Sequence, residues 1–113
     1  MRALIAAGWV LAAGTAAAQP VPAARQHELV RVVRQDCGSC HGMRLTGGLG
    51  PALTPEALAD KPLAAMAATI FHGRPGTPMP GWRTMLSEAD AQWIAEQLAQ
   101  GFPEETGTRK ARP

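Results

Sequence analysis

Five residues constrain this chain more than any others: Cys37-Gly38-Ser39-Cys40-His41. The spacing C-x-x-C-H is the attachment signature of c-type haem. Two thiols three positions apart can each form a thioether to one vinyl group of the same porphyrin. The adjacent histidine then sits under the iron as its proximal ligand. The chain has two cysteines, and the motif uses both.

The N-terminus is consistent with that chemistry. Arg2 is the only charge before Arg25, Ala3 to Ala13 is an apolar run, and Ala16-Ala17-Ala18 offers a small-residue cleavage site. A charged start, a short apolar stretch and an A-x-A end read as a secretory signal peptide over residues 1–18. The competing reading is an uncleaved membrane anchor, but the apolar stretch falls short of the roughly 20 residues that span a bilayer. No cysteine follows the cleavage site, so a lipid-anchored N-terminus is not expected. The destination is a periplasmic, soluble protein. There two cysteines would otherwise tend towards a disulfide; the histidine directly after them favours haem.

Cleavage leaves 95 residues, enough for one domain. So small a chain has a limited core of its own, and a covalently held apolar macrocycle would supply much of the rest. The mature net charge is +1. There is no basic run to track phosphates and few aromatic residues to stack bases, so nucleic acid is not expected as a partner.

Residues 19–24 form an extended leader, kept out of a helix by Pro20 and Pro22. A first helix is predicted from about Arg25 to Asp36, with Leu29, Val32 and Val33 on its apolar stripe and Arg25, Arg31 and Arg34 off it. Residues 42–53 hold four glycines and read as a loop. Thr54-Pro55-Glu56 looks like a helix start, opening a short helix over 55–59. Another helix runs from about Pro62 to His72, with Gly73 as its stop. Residues 73–86 are a second loop. Ser87 caps a last helix to about Gln100, with Asp90 near a capping-box position and Ala89, Trp93, Ile94, Gln97 and Leu98 on its inner face. The haem domain spans residues 25–101, and the polar residues 102–113 read as a disordered tail. No strand pattern or repeat is present. The fold class is all-α.

A lone C-x-x-C could also be half a zinc site or a redox dithiol. Zinc needs four ligands, and the spare histidines, His27 and His72, are wrongly spaced. A thioredoxin-like dithiol needs a βαβ context that is missing. For the second axial ligand the candidates are Met43, Met66, Met79, Met85, His27 and His72. Met43 is too close to His41 to reach the opposite face, and Met66 sits on a helical face where methionine is usually core filler. Met79 lies in Pro78-Met79-Pro80, where two prolines restrict the backbone on both sides. Met79 is therefore the favoured ligand, with Met85 next. Pro51 lies ten residues after His41, and its carbonyl could hold the second ring nitrogen of that histidine. From spacing alone, a plain helix-entry turn is an equal reading. Trp82, just after the ligand loop, could line the haem edge.

Together Cys37-Gly38-Ser39-Cys40-His41, Gly50-Pro51-Ala52-Leu53, Met79 and the closing helix around Trp93 resemble a class I cytochrome c over about residues 25–100. That resemblance implies about four helices wrapped around one covalent haem, a Pro51 carbonyl turned to His41, and Met79 on the iron. Leu53-Thr54-Pro55-Glu56-Ala57-Leu58 and Gly73-Arg74-Pro75-Gly76-Thr77-Pro78-Met79-Pro80-Gly81-Trp82 resemble, more narrowly, the small periplasmic cytochromes of the NirC type, encoded with dissimilatory haem nitrite reductase. The resemblance implies electron delivery to nitrite reductase, or to maturation of its haem, in denitrification. The expected protein is a monomeric electron carrier rather than an enzyme. The rival is a haem enzyme or gas sensor with a labile sixth ligand. Arg44, Arg74 and Arg83 fall in or beside the loops, with no acid between Asp60 and Glu88; they are either a positive docking face or scattered solvated charges.

Overall fold

The computed structural model describes residue 14 and residues 20–105. Gly14 apart, the expected signal peptide (residues 1–18) lies outside them, as do residues 106–113 of the tail. The described residues contain helices and loops and no strand.

The first helical element is longer than its apolar pattern predicts. Helix α1 runs over Ala23–Val32, passes without a break into a π-helical turn over Val33–Cys37, and continues as α2 over Gly38–His41. The C-x-x-C-H motif therefore stands on a helical rod rather than in the loop after it. The wide turn accommodates one extra residue, which rotates the downstream residues by about 100° relative to the Leu29–Val33 stripe. Leu29 and Val33 are fully buried, and Val30 is more buried than the expected Val32.

Thr54 opens α3 (Pro55–Leu58), its hydroxyl accepting from Ala57 N at 3.3 Å, with Pro55 at the first helical position. Helix α4 covers Leu63–His72 and buries Met66 and Ile70. Helix α5 covers Glu88–Gln100 behind a complete capping box: the Ser87 hydroxyl accepts from Asp90 N, and the Asp90 carboxylate accepts from Ser87 N. The rod plus α3, α4 and α5 gives the four helical elements expected.

The inner face of α5 keeps the expected Ile94 and Leu98 but is otherwise rotated from the expected one. Its buried residues are Asp90, Ala91, Ile94, Ala95 and Leu98, while Trp93 and Gln97 are only partly covered. Alanines contribute little hydropathy, but their small side chains let helices approach closely. Leu29, Val33, Leu45, Leu58, Met66, Ile70 and Leu86 join Ala91, Ile94, Ala95 and Leu98 in one apolar cluster. Fully burying a leucine of this kind contributes about 1.5–3 kcal/mol.

Two arginines expected off the apolar stripe, Arg25 on α1 and Arg34 on the π-helical turn, tie the rod to the rest of the chain. Arg25 pairs with Asp90 of α5, and Arg34 donates to the carbonyl oxygens of Phe102 and Pro103 beyond α5. Phe102 packs edge-to-face on Trp93 and lies 5.5 Å from the Arg34 guanidinium. Phe102 and Pro103 thus belong to the packed body, which corrects the expected start of the tail at residue 102.

Candidate functional site: the proximal helix and the distal loop

On a helix, successive residues turn by about 100°. Cys37, Cys40 and His41 therefore fall within an arc of about 100° on one side of the rod. Cys37 is half-buried and Cys40 exposed. Burial, reinforced by the neighbouring Asp36 carboxylate, pushes the Cys37 thiol up to about 11, so it stays protonated at neutral pH.

His41 is 8% exposed, and its Nδ1 lies 2.7 Å from the carbonyl oxygen of Pro51. The glycine-rich loop makes that contact by capping the helix end. The carbonyl of Cys40 accepts from Gly50 N at 2.8 Å, and that of His41 accepts from Gly47 N at 2.8 Å. These two carbonyls have no partner within the helix, and satisfying them folds the loop back under the imidazole. Leu53 N donates to Leu45 O, closing the loop further. Leu45 is buried and takes φ of 60°, the one non-glycine residue with positive φ among the described residues. That strain accompanies a buried leucine anchoring the loop.

Gly50 touches the ring directly. A Cβ built there would lie 2.8 Å from both Cε1 and Nδ1 of His41. The imidazole is thus gripped on one side, with Nδ1 engaged and Nε2 left without a protein partner. A carbonyl at Nδ1 fixes the tautomer that leaves Nε2 as the donor to a metal. Two thiols and one nitrogen on the same helix side fit a covalently attached haem.

The distal loop is closed at its base by backbone alone. Gly73 ends α4 at φ of 76°, and a Cβ on it would fall 2.5 Å from Gly81 N. A Cβ on Gly81 would fall 2.7 Å from the His72 carbonyl carbon and 2.8 Å from the Phe71 oxygen. Arg74 N donates to Met79 O, and Trp82 N donates to Ile70 O. Met79 is half-buried inside this noose, its amide accepted by the Thr77 hydroxyl. Met43 and Met85 are 67% and 56% exposed, and Met66 is a core residue. His27 and His72 are exposed. Trp82 is half-buried and packs against the apolar cluster, its carbonyl accepting from Met85 N and Leu86 N.

Sequence reading missed the Gly73–Gly81 pinch, the Gly50 contact and the Arg25 and Arg34 ties. The glycines were visible as a pair flanking Pro78-Met79-Pro80. The arginines carried no pattern distinguishing them from solvated charges.

The model of the family described as cytochrome c oxidase, cbb3-type, subunit III matches residues 24–97. Cytochrome c55X of Paracoccus denitrificans (strain Pd 1222) is 58% identical over 89 residues, covering 79% of this chain and 86% of that protein. The solved structure of the c-type cytochrome NirC superposes with a TM-score of 0.71 at 57% identity, covering 72% of this chain and 95% of that one. Dihydro-heme d1 dehydrogenase of Pseudomonas aeruginosa (strain PAO1) is 42% identical over 72 residues, which are 64% of this chain and 15% of that protein. The chain belongs to this family of c-type cytochromes, and within it is a class I cytochrome similar to NirC and cytochrome c55X.

Proposed function

We propose that the chain is a soluble periplasmic monohaem electron carrier of the nitrite reductase system, working either with the reductase or with maturation of its haem. The observation that carries this reading is the proximal arrangement. His41 Nδ1 is engaged by the Pro51 carbonyl, Nε2 has no hydrogen-bond partner among the described residues, and Cys37 and Cys40 share the same side of the rod. Haem c, when bound, supplies an iron that accepts and gives up one electron at a time.

The chain's own residues do the rest. Cys37 and Cys40 would tether the group to the rod. His41 would ligate its iron, oriented by the Pro51 carbonyl. Met79 would supply the second iron ligand, held by the loop that Gly73 and Gly81 close. A His/Met pair leaves no iron position open and favours the reduced state relative to two nitrogen ligands, which is suited to carrying electrons rather than to binding substrate. Trp82 lies three residues beyond Met79, in place to border the haem edge.

Arg44, Arg74 and Arg83 are all exposed, and none forms an ion pair among the described residues. They would favour an acidic partner in a small, transient contact. The likeness to a segment of dihydro-heme d1 dehydrogenase supports a partner concerned with haem d1. No helix among the described residues is long and apolar enough to cross a membrane.

The test is the visible spectrum of oxidised and reduced holoprotein, wild type and Met79→Ala. A weak far-red sulfur-to-iron band in the oxidised wild type, lost in the variant, is expected. A wild type without that band that binds carbon monoxide promptly when reduced would overturn the carrier reading in favour of an enzyme or gas sensor.

A further inference from the structure

We propose that Arg25 is a positioning residue that keeps the distal loop closed over the iron, an inference that rests on Met79 as the distal ligand. Its guanidinium reaches three elements. Nε and Nη2 donate to Asp90 Oδ2 at 3.2 and 2.8 Å, Nη2 also donates to the backbone oxygen of Met85 at 3.0 Å, and Nη1 donates to Glu28 at 2.8 Å. The Asp90 side chain is 8% exposed, and its Oδ2 also accepts from Ser87 N at 3.1 Å. The last residues of the distal loop are thus held between a cation from α1 and the capped start of α5.

The position of this contact gives it a role. Cys37, Cys40 and His41 stand on the rod that begins with α1, and Met79 stands in the loop over residues 73–86. Among the described residues, Arg25 to Met85 is the only hydrogen bond joining rod and loop. The Gly73–Gly81 pinch fastens the loop to α4 instead. Arg25 therefore links the two bodies that present the two axial ligands.

With Met79 on a haem iron, an outside ligand would bind only from the open state of the loop. Its apparent affinity is the intrinsic one scaled by the fraction open. Losing the Arg25–Met85 bond together with the charge-assisted pair to Asp90, whose Oδ2 also holds Ser87 N at the end of the loop, should raise that fraction about tenfold.

The experiment is an imidazole titration of oxidised holoprotein, followed in the Soret and far-red bands, alongside urea unfolding. Arg25→Met keeps the aliphatic stem and removes the fork. It should retain the far-red band at neutral pH and bind imidazole about tenfold more tightly, with Arg25→Lys intermediate. Arg34→Met, on the same rod but tied to Phe102 and Pro103, should lose stability with imidazole affinity unchanged. If Arg25→Met yields no holoprotein, Arg25→Lys decides by the same comparison with wild type. A wild type that shows the far-red band, with Arg25 variants no tighter than wild type, overturns the proposal and leaves Met79 as ligand. A wild type without the band overturns the ligand assignment and this proposal with it.

Discussion

His41 Nδ1 and the Pro51 carbonyl oxygen stand 2.7 Å apart across a loop whose Gly50 presses on the same imidazole. The nitrogen donates to the oxygen, which raises the basicity of Nε2 and, with His41 on a haem iron as proposed, would favour Fe(III). Gly50→Ala places a methyl 2.8 Å from the ring and must push the loop away. The reduction potential should rise by something on the order of tens of mV as the hydrogen bond lengthens, and stability should fall by about 1–3 kcal/mol. Spectroelectrochemical titration with urea unfolding checks both. A stability loss with an unmoved potential would mean that the carbonyl packs against the histidine without tuning it.

The pinch between Gly81 and the end of α4 makes a sharper prediction, because the three nearest atoms that a Cβ would meet are all backbone. Nothing there can rotate aside. Gly81→Ala should displace Trp82 N from Ile70 O, open the base of the loop and weaken the far-red band at neutral pH. Gly76 lies in the same loop at φ of 78°, and a Cβ on it would meet nothing within 4 Å. Gly76→Ala should cost only the left-handed backbone strain, about 1–2 kcal/mol, and keep the band. Equal spectra for the two alanine variants would show that the pinch does not govern Met79.

The parts of this molecule that lie close in sequence were readable from it. Ser87 and Asp90 cap each other three positions apart, Thr54 and Pro55 start a helix, and Gly73 ends one, because each device is complete within a few residues. The C-x-x-C-H chemistry is equally local. The Pro51 contact was only half readable, since it depends on Gly47 and Gly50 capping carbonyls of the preceding helix end. The π-helical turn left no mark, because Leu29 and Val33 keep ordinary helical spacing before it. On the inner face of α5, Ile94 and Leu98 were readable as large apolar residues, whereas Trp93 and Gln97 are only partly covered and Ala91 and Ala95, too small to mark a hydropathy pattern, do the close packing. Arg25 and Arg34 looked solvated because their partners in other elements lie 60 and more positions away.

Asp90 links the fold to pH. Burial alone would raise its carboxyl, but the Arg25 guanidinium and the Ser87 N–H outweigh burial and hold it below the usual carboxylate range. A lowered folded value means that the charged pair contributes fully above the unfolded value of about 4. That contribution disappears as pH falls through the folded value. Wild type should therefore lose stability on acidification below about pH 4, and Asp90→Asn should remove part of that acid limb. At pH 7 the variant should be less stable by about 1–2 kcal/mol, allowing for an arginine that is one-third exposed. Urea midpoints between pH 2 and 7 should converge for the two proteins at the acid end. A constant offset across the range would assign the loss to the cap geometry rather than to charge.

The last prediction separates the scaffold from the site. Phe102 meets Trp93 at 6.2 Å between ring centroids and lies beneath the Arg34 guanidinium, whose Nε and Nη2 bind the carbonyls of residues 102 and 103. Phe102→Ala removes a half-buried ring and one aromatic pair and should cost about 2 kcal/mol. Arg34→Met should cost a similar amount by leaving two carbonyls to water. The double variant should lose less than the sum, with a coupling of about 0.5–1 kcal/mol for the guanidinium over the ring. Both single variants should keep the far-red band and the wild-type potential: Arg34 and Phe102 share a groove with Arg44, Leu45 and Leu53 of the His41 loop, but the Arg34 hydrogen bonds go to Phe102 and Pro103 and to neither ligand loop. A shifted potential in either would show that this end of α5 is mechanically coupled to the iron ligands.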